Sequence, residues 1–187
     1  MTEPIRCYWA RGGGAMQTYH DMEWGVETHD DAVLYEFLLL EAFQAGLSWA
    51  IILKKRESFR QAFSGFDPVK VAAYTDEDVE RLMNDAGIVR CRRKIIGAIE
   101  NARVFLALQK EYGSFSRYLW QWVDGKQVVC HTDEHPTTTA LSDAMAKDMK
   151  KRGMHYMGST TLYSYLQAIG VVSDHDLCCF RHPDNQK

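Results

Sequence analysis

Asp67-Pro68 pairs a helix-capping carboxylate with a proline whose missing N–H and fixed φ suit a first helical turn. It is one of a series of helix start and stop signals running the length of the chain, and that recurrence constrains the fold more than any other feature. Asp30 or Asp31 can cap a helix with Val33, Leu34, Phe37, Leu38 and Leu40 on its apolar face and Gly46 at its end. Ser48 can cap the next, which carries Trp49, Ile52, Phe59 and Phe63 before Gly65. Asp67 opens a short helix to about Tyr74. Thr75 and Asp78 have capping-box spacing, with Asp in place of Glu, and predict a helix to about Asn84. A longer helix is expected from about Cys91 to Lys110, burying Ile95, Ile96, Ile99, Phe105 and Leu106. Three more are expected at about 114–123, 141–151 and 160–169, with Gly153 and Gly170 as terminators. Only Gln127 to Cys130 has β-branched density. The pattern predicts an all-α fold. A chain of 187 residues without repeats or linkers fits one domain, residues 1–187, of two closely packed helical lobes.

Composition narrows the partners. Lys and Arg number 22 against 25 Asp and Glu, a net charge of −3, so any contact with nucleic acid must be local rather than carried by bulk positive charge. The apolar segment Val33 to Phe43 contains Glu36 and Glu41 and is far short of a membrane span, so no membrane partner is expected. Met1 to Arg6 is polar with Pro4, unlike a signal peptide. Five cysteines are an odd set for a disulfide framework; reduced thiols and a cytoplasmic location are expected.

Three constellations carry chemistry. Cys7 and His20 near the start, with His175 and Cys179 near the end, are the thiolate and imidazole set that zinc prefers in closed tetrahedral sites; Cys178 and His182 compete for the last position on spacing alone. Such a site would tie the two ends of the chain together in a structural role. Asp85-Ala86-Gly87-Ile88-Val89-Arg90 reads as a turn between two helices. Gly87 there is suited to a positive φ, and Arg90, Arg92, Arg93 and Lys94 surround the opening of the second helix, where backbone amides favour a phosphate. The runs Lys54-Lys55-Arg56 and Lys150-Lys151-Arg152 read as solvated helix ends. Tyr8, Trp9, Tyr19, Trp24 and Trp49 fall in the first fifty residues beside Glu41, and electron-rich rings near a carboxylate suit a flat, cationic or hydrogen-bond-donating base. A buried Glu41 would demand a partner.

On these residues the sequence resembles the bacterial 3-methyladenine DNA glycosylase I family over essentially its whole length. The likeness runs through Cys7-Tyr8-Trp9, Tyr19-His20-Asp21, Glu23-Trp24-Gly25-Val26, Leu40-Glu41 and Gln44-Ala45-Gly46-Leu47-Ser48-Trp49. It continues through Leu53-Lys54-Lys55-Arg56, Phe66-Asp67-Pro68-Val69-Lys70-Val71-Ala72, Asp85-Ala86-Gly87-Ile88, Lys150-Lys151-Arg152-Gly153 and Asp174-His175. The resemblance implies a helix–hairpin–helix glycosylase fold, with Gly87, Arg90, Arg92 and Lys94 at the DNA phosphates. It implies one structural zinc on Cys7, His20, His175 and Cys179. Glu41 and Tyr19 would be the catalytic pair contacting the base, Trp9, Trp24 and Trp49 its aromatic pocket, and Leu47 a probe of the gap left in the duplex.

The implied activity is monofunctional excision of 3-methyladenine from alkylated double-stranded DNA by a monomer. No Asp stands in Leu108-Gln109-Lys110-Glu111-Tyr112, where the wider superfamily usually places a catalytic acid. Two departures from the family pattern, Met16 in place of a frequent tyrosine and Ala42-Phe43 after the glutamate, leave as the alternative a catalytically weak module that binds alkylated DNA.

Overall fold

The computed structural model describes residues 3–186; Met1, Thr2 and Lys187, the extremities of the expected domain, lie outside the described residues. The helices are α1 (Gly14–Met22), α2 (Asp31–Gln44), α3 (Trp49–Ala62), α4 (Pro68–Ala72), α5 (Asp76–Met83), α6 (Arg92–Tyr112), α7 (Phe115–Trp120), α8 (Ala140–Lys151) and α9 (Ser159–Ala168). A two-stranded parallel ladder corrects the all-α expectation to a mostly helical one: β1 (Val128–Val129) pairs with β2 (Val172–Ser173), Val128 opposite Val172. The partner strand is too short to leave a period in the sequence.

The capping signals act largely as read. Asp67 accepts from the amides of Val69 and Lys70, and Asp78 Oδ2 accepts from Thr75 N at 3.1 Å. Asp30 caps α2 through the Ala32 amide at 2.8 Å. Its neighbour Asp31 caps a different helix, accepting from Phe115 N at 2.9 Å and Ser116 N at 2.8 Å at the start of α7. α1 has no such signal, because Gly13 precedes it without a side-chain cap, and the sequence reading passed over it. Within α6, Ile96 faces solvent and Leu106 is half-buried, while Ile95, Ile99 and Phe105 are buried.

α2 is the central helix, buried from Leu34 to Phe43 and packed on α3, α6, α7 and α9. Each of its leucines contributes roughly 1.5–3 kcal/mol by leaving water. Its two buried acids fare differently. Glu36 is neutralised by Arg56 Nε at 2.6 Å and Arg60 Nη2 at 2.7 Å. Arg56 also reaches Glu23 at 2.8 Å and so ties α3 to α2 and to the turn after α1; it is a structural clamp, not a solvated helix end. Glu41 has no counterpart of this kind. No helix among the described residues is long and apolar enough to cross a membrane.

Candidate active site

Glu41 opens into a cavity of about 200 Å³ walled by Trp9, Met16, Tyr19, Trp24, Gln44, Trp49, Ser164 and Gln167. The α1–α2 and α2–α3 connections and α9 bring these distant residues together. The Tyr19 and Trp49 rings lie 5.4 Å apart, Trp9 and Trp24 meet edge to face at 5.0 Å, and Phe37 backs Tyr19 and Trp49. Glu41 is 3% exposed, and its Oε2 has no hydrogen-bond partner. Burial without a countercharge pushes its pKa up to about 8. Trp49 Nε1 is likewise buried and unpaired. The Tyr19 hydroxyl is held well above its ordinary pKa by burial and then by the Glu41 charge, so it remains a neutral donor. An aromatic cleft with an unpartnered acceptor and an unpartnered donor is built for a flat molecule bearing both kinds of group.

The other expected residues divide. Leu47 is not on this wall; it sits half-buried in the α2–α3 loop, its carbonyl accepting from Gln44 Nε2 at 2.8 Å. Met16 does line the cavity. Phe43 does not, packing in the core against Phe59 and Phe63, so that departure leaves the cleft untouched. Gln44, Ser164 and Gln167 were not anticipated. Gln44 was within reach, three residues after Glu41 on the same helix; nothing in the sequence ties α9 to this site.

Beside the cavity, Cys7, His20, His175 and Cys179 are all buried with their ligand atoms within 4.8 Å of one another, a group that could hold a metal ion. Cys7 Sγ lies 3.5 Å from His175 Nδ1, and Cys179 Sγ lies 3.4 Å from His20 Nε2 and 3.7 Å from His175 Nδ1. The outward-facing nitrogens are occupied: His20 Nδ1 pairs with Asp21 at 2.8 Å, and His175 Nε2 donates to the Trp24 carbonyl at 3.2 Å. Gly25 allows this approach, since a Cβ there would stand 2.7 Å from His175 Nε2. Cys178 is exposed, and His182 turns its Nε2 to the Cys130 carbonyl at 3.1 Å; neither belongs to this group.

A model of the methyladenine glycosylase family matches residues 9–182. The chain belongs to this family. It is 46% identical over 184 residues to DNA-3-methyladenine glycosylase 1 of Escherichia coli (strain K12), covering 97% of this chain and 98% of that relative. A solved structure of a 3-methyladenine DNA glycosylase I, also 46% identical, superposes with a TM-score of 0.92 over 96% of this chain and 100% of the other. The Staphylococcus aureus 3-methyladenine DNA glycosylase I, in a structure describing 3-methyladenine recognition, is 35% identical with a TM-score of 0.91 over 95% of this chain and 96% of its own.

In this methyladenine glycosylase the helical hairpin joins α5 to α6, but its glycine works differently from the expectation. Gly87 is not at positive φ; it is needed for space, because a Cβ would lie 2.9 Å from Asp85 Oδ1 and from Ser58 Cβ. Lys55 Nζ donates to the carbonyls of Ala86 and Gly87 at 2.9 and 3.1 Å, securing the turn to α3 rather than ending a helix in solvent. Arg90 and Arg93 are exposed at the mouth of α6, and Arg92 pairs with Glu80 at 2.6 Å on the surface. Lys94 is the exception. Its ammonium donates to the carbonyls of Phe43 at 2.7 Å and Ala45 at 2.6 Å, so it fastens the hairpin to the loop between Glu41 and Trp49 instead of facing a phosphate. Arg152, too, is bound, to Asp148 and Glu111 at 2.7 Å each.

Proposed function

We propose that this chain is a DNA repair glycosylase that hydrolyses the N-glycosidic bond of 3-methyladenine in alkylated double-stranded DNA. The unpartnered Glu41 in an aromatic cleft carries the reading, supported by the family membership and by relatives named for this activity. Methylation at N3 makes the base cationic, so it leaves deoxyribose as a neutral molecule and needs no strong general acid. What the protein must supply is extraction, orientation and charge. Flipping costs a few kcal/mol, less for a damaged base. Stacking on Trp9, Trp24 and Trp49 returns roughly 1–3 kcal/mol, and cation–π attraction adds about 0.5–2 kcal/mol for the charged base alone. A cation entering the cleft gives Glu41 the countercharge that the empty fold lacks, drawing it toward its ionised form. Tyr19 stands as a neutral donor against the base. Water then takes the sugar carbon and leaves an abasic site, with no lysine set to form a Schiff base.

At the duplex, exposed Arg90 and the surface Arg92, with the Gly87 turn, meet phosphates, while Lys94 holds that hairpin against the cleft. Leu47, in the adjoining loop, fills the space the base vacates. The Cys7, His20, His175 and Cys179 group fits a structural Zn²⁺: Zn–S of about 2.3 Å and Zn–N of about 2.0–2.1 Å in a tetrahedron give S···N edges of about 3.6 Å, against 3.4, 3.5 and 3.7 Å here. The ion's charge would let both thiolates lie buried side by side. We place the enzyme in the cytoplasm, acting as a monomer.

Free 3-methyladenine should be released from methylated duplex DNA, and Glu41→Ala should slow that release about 10- to 150-fold, the worth of a hydrogen bond to a charged group. Wild-type release no faster than that of the variant would refute the assignment. Damage-selective binding without release would instead identify the alternative, a recognition module, for which Met16 on the cavity wall is the structural motive.

A further inference from the structure

Gln44 on α2 and Gln167 on α9 both line the cavity, and each amide is turned by a partner that only accepts. Gln44 Nε2 donates to the Leu47 carbonyl at 2.8 Å, and Gln167 Nε2 donates to Asp174 Oδ2 at 2.6 Å. A backbone carbonyl and a carboxylate offer no proton, so in both cases the nitrogen must be the bonded atom and the amide cannot reverse. Asp174 is itself held: it is buried and also bonded to Tyr163 Oη and His135 Nδ1, each at 3.3 Å. The Oε1 atoms of Gln44 and Gln167 are thus left as free acceptors at the cavity, with no hydrogen bond among the described residues. Ser164 adds to this character, because its hydroxyl proton goes to the Thr160 carbonyl at 3.3 Å.

We propose that Gln44 and Gln167 are specificity-determining residues that receive the exocyclic amino group of the base and reject bases with a carbonyl at that position. The inference rests on the glycosylase reading above. Both N3-methylated purines are cationic, so Glu41 answers their charge without telling them apart. Their six-position differs: adenine carries an NH2 donor and guanine an acceptor oxygen. Fixed amide oxygens pair with the first and stand lone pair to lone pair against the second. Discrimination by leaving such groups unpaired is stronger than discrimination by shape alone. Asp174 is then a positioning residue, acting only through Gln167.

The test is single-turnover release of 3-methyladenine and 3-methylguanine from the same methylated duplex by wild type, Gln44→Met and Gln167→Met, which keep side-chain length and remove the acceptor. Each variant should lower the ratio of adenine to guanine product about tenfold, the effect of one lost hydrogen bond. If the glutamines only fill the wall, both rates fall together and the ratio stays, which overturns the proposal. If Gln167→Met fails to fold, Gln44→Met alone decides by the same ratio. Wild type that releases neither base defeats the glycosylase reading itself, a result distinct from an unchanged ratio.

Discussion

The cleft and the Cys/His group share their scaffolding and differ in how their buried polar atoms are satisfied. Tyr19 and His20 are consecutive on α1, one facing each region. Trp24 gives its ring to the cleft and its carbonyl to His175. Within the Cys/His group every ligand atom lies against another, and the outer ring nitrogens are fixed by Asp21 and Trp24. Within the cleft, Glu41 Oε2 and Trp49 Nε1 meet nothing. An unpaired buried polar group costs about 1–3 kcal/mol, so the fold carries that cost only where something from outside removes it. Polar atoms converging on one another make a staple; polar atoms facing an empty cavity make a receptor.

The largest effect expected from this contrast is at the staple. Cys7→Ala or His175→Ala should abolish the one metal ion per chain and lower the unfolding temperature by about 10 °C or more, because metal binding is folding free energy here. Base release should fall with it, since His20 and Trp24 anchor both regions. Metal analysis of freshly purified protein together with calorimetry checks this. A Cys7→Ala protein melting like wild type would reduce the group to ordinary burial and erase the contrast.

Much of this was legible in the sequence because helix caps act locally. Asp67-Pro68 and Thr75 with Asp78 specify their turns wherever the chain packs, and both stand where read. What the sequence hid is long-range. Asp31 caps a helix 84 residues away, and Arg56 is a clamp because Glu23 and Glu36 converge on it. Lys94 looks like a phosphate ligand in a basic run until the α2–α3 carbonyls are seen beside it. The cleft was partly legible, since Glu41, Tyr19 and the tryptophans are distinctive residue types. Ser164 and Gln167 are ordinary helix residues whose part depends only on where α9 lies.

Glu41→Gln sharpens the contrast through its sign. The carboxyl of Glu41 titrates at about 8 in the fold against an ordinary 4.5. Between those pH values the folded state therefore holds a proton that the unfolded state has released, and stability falls as pH rises, by about 1.4 kcal/mol per unit. Glutamine removes that dependence. The variant should be more stable than wild type at pH 7, by up to about 3 kcal/mol, with the advantage vanishing as pH falls toward 4.5. It should nonetheless release base at least about tenfold more slowly. Denaturation at several pH values checks the first expectation and base release the second. Loss of stability at pH 7 would mean that Glu41 has a partner within the fold, and so belongs with the staple.

The smallest effect tests whether the hairpin is a third, separate region. Gly87→Ala places a Cβ 2.9 Å from Asp85 Oδ1 and Ser58 Cβ, so the turn must shift while the Lys94 ties to the α2–α3 loop remain. If the hairpin serves only the phosphates, affinity for undamaged and methylated duplexes should drop by the same factor, about fivefold, because phosphate contacts carry no base information. Fluorescence anisotropy with both duplexes measures this, with free 3-methyladenine quenching the cleft tryptophans equally in variant and wild type. A loss confined to methylated DNA would mean that the strain travels through Lys94 into the loop between Glu41 and Trp49. The hairpin would then be a wall of the receptor, acting on the base rather than on the backbone.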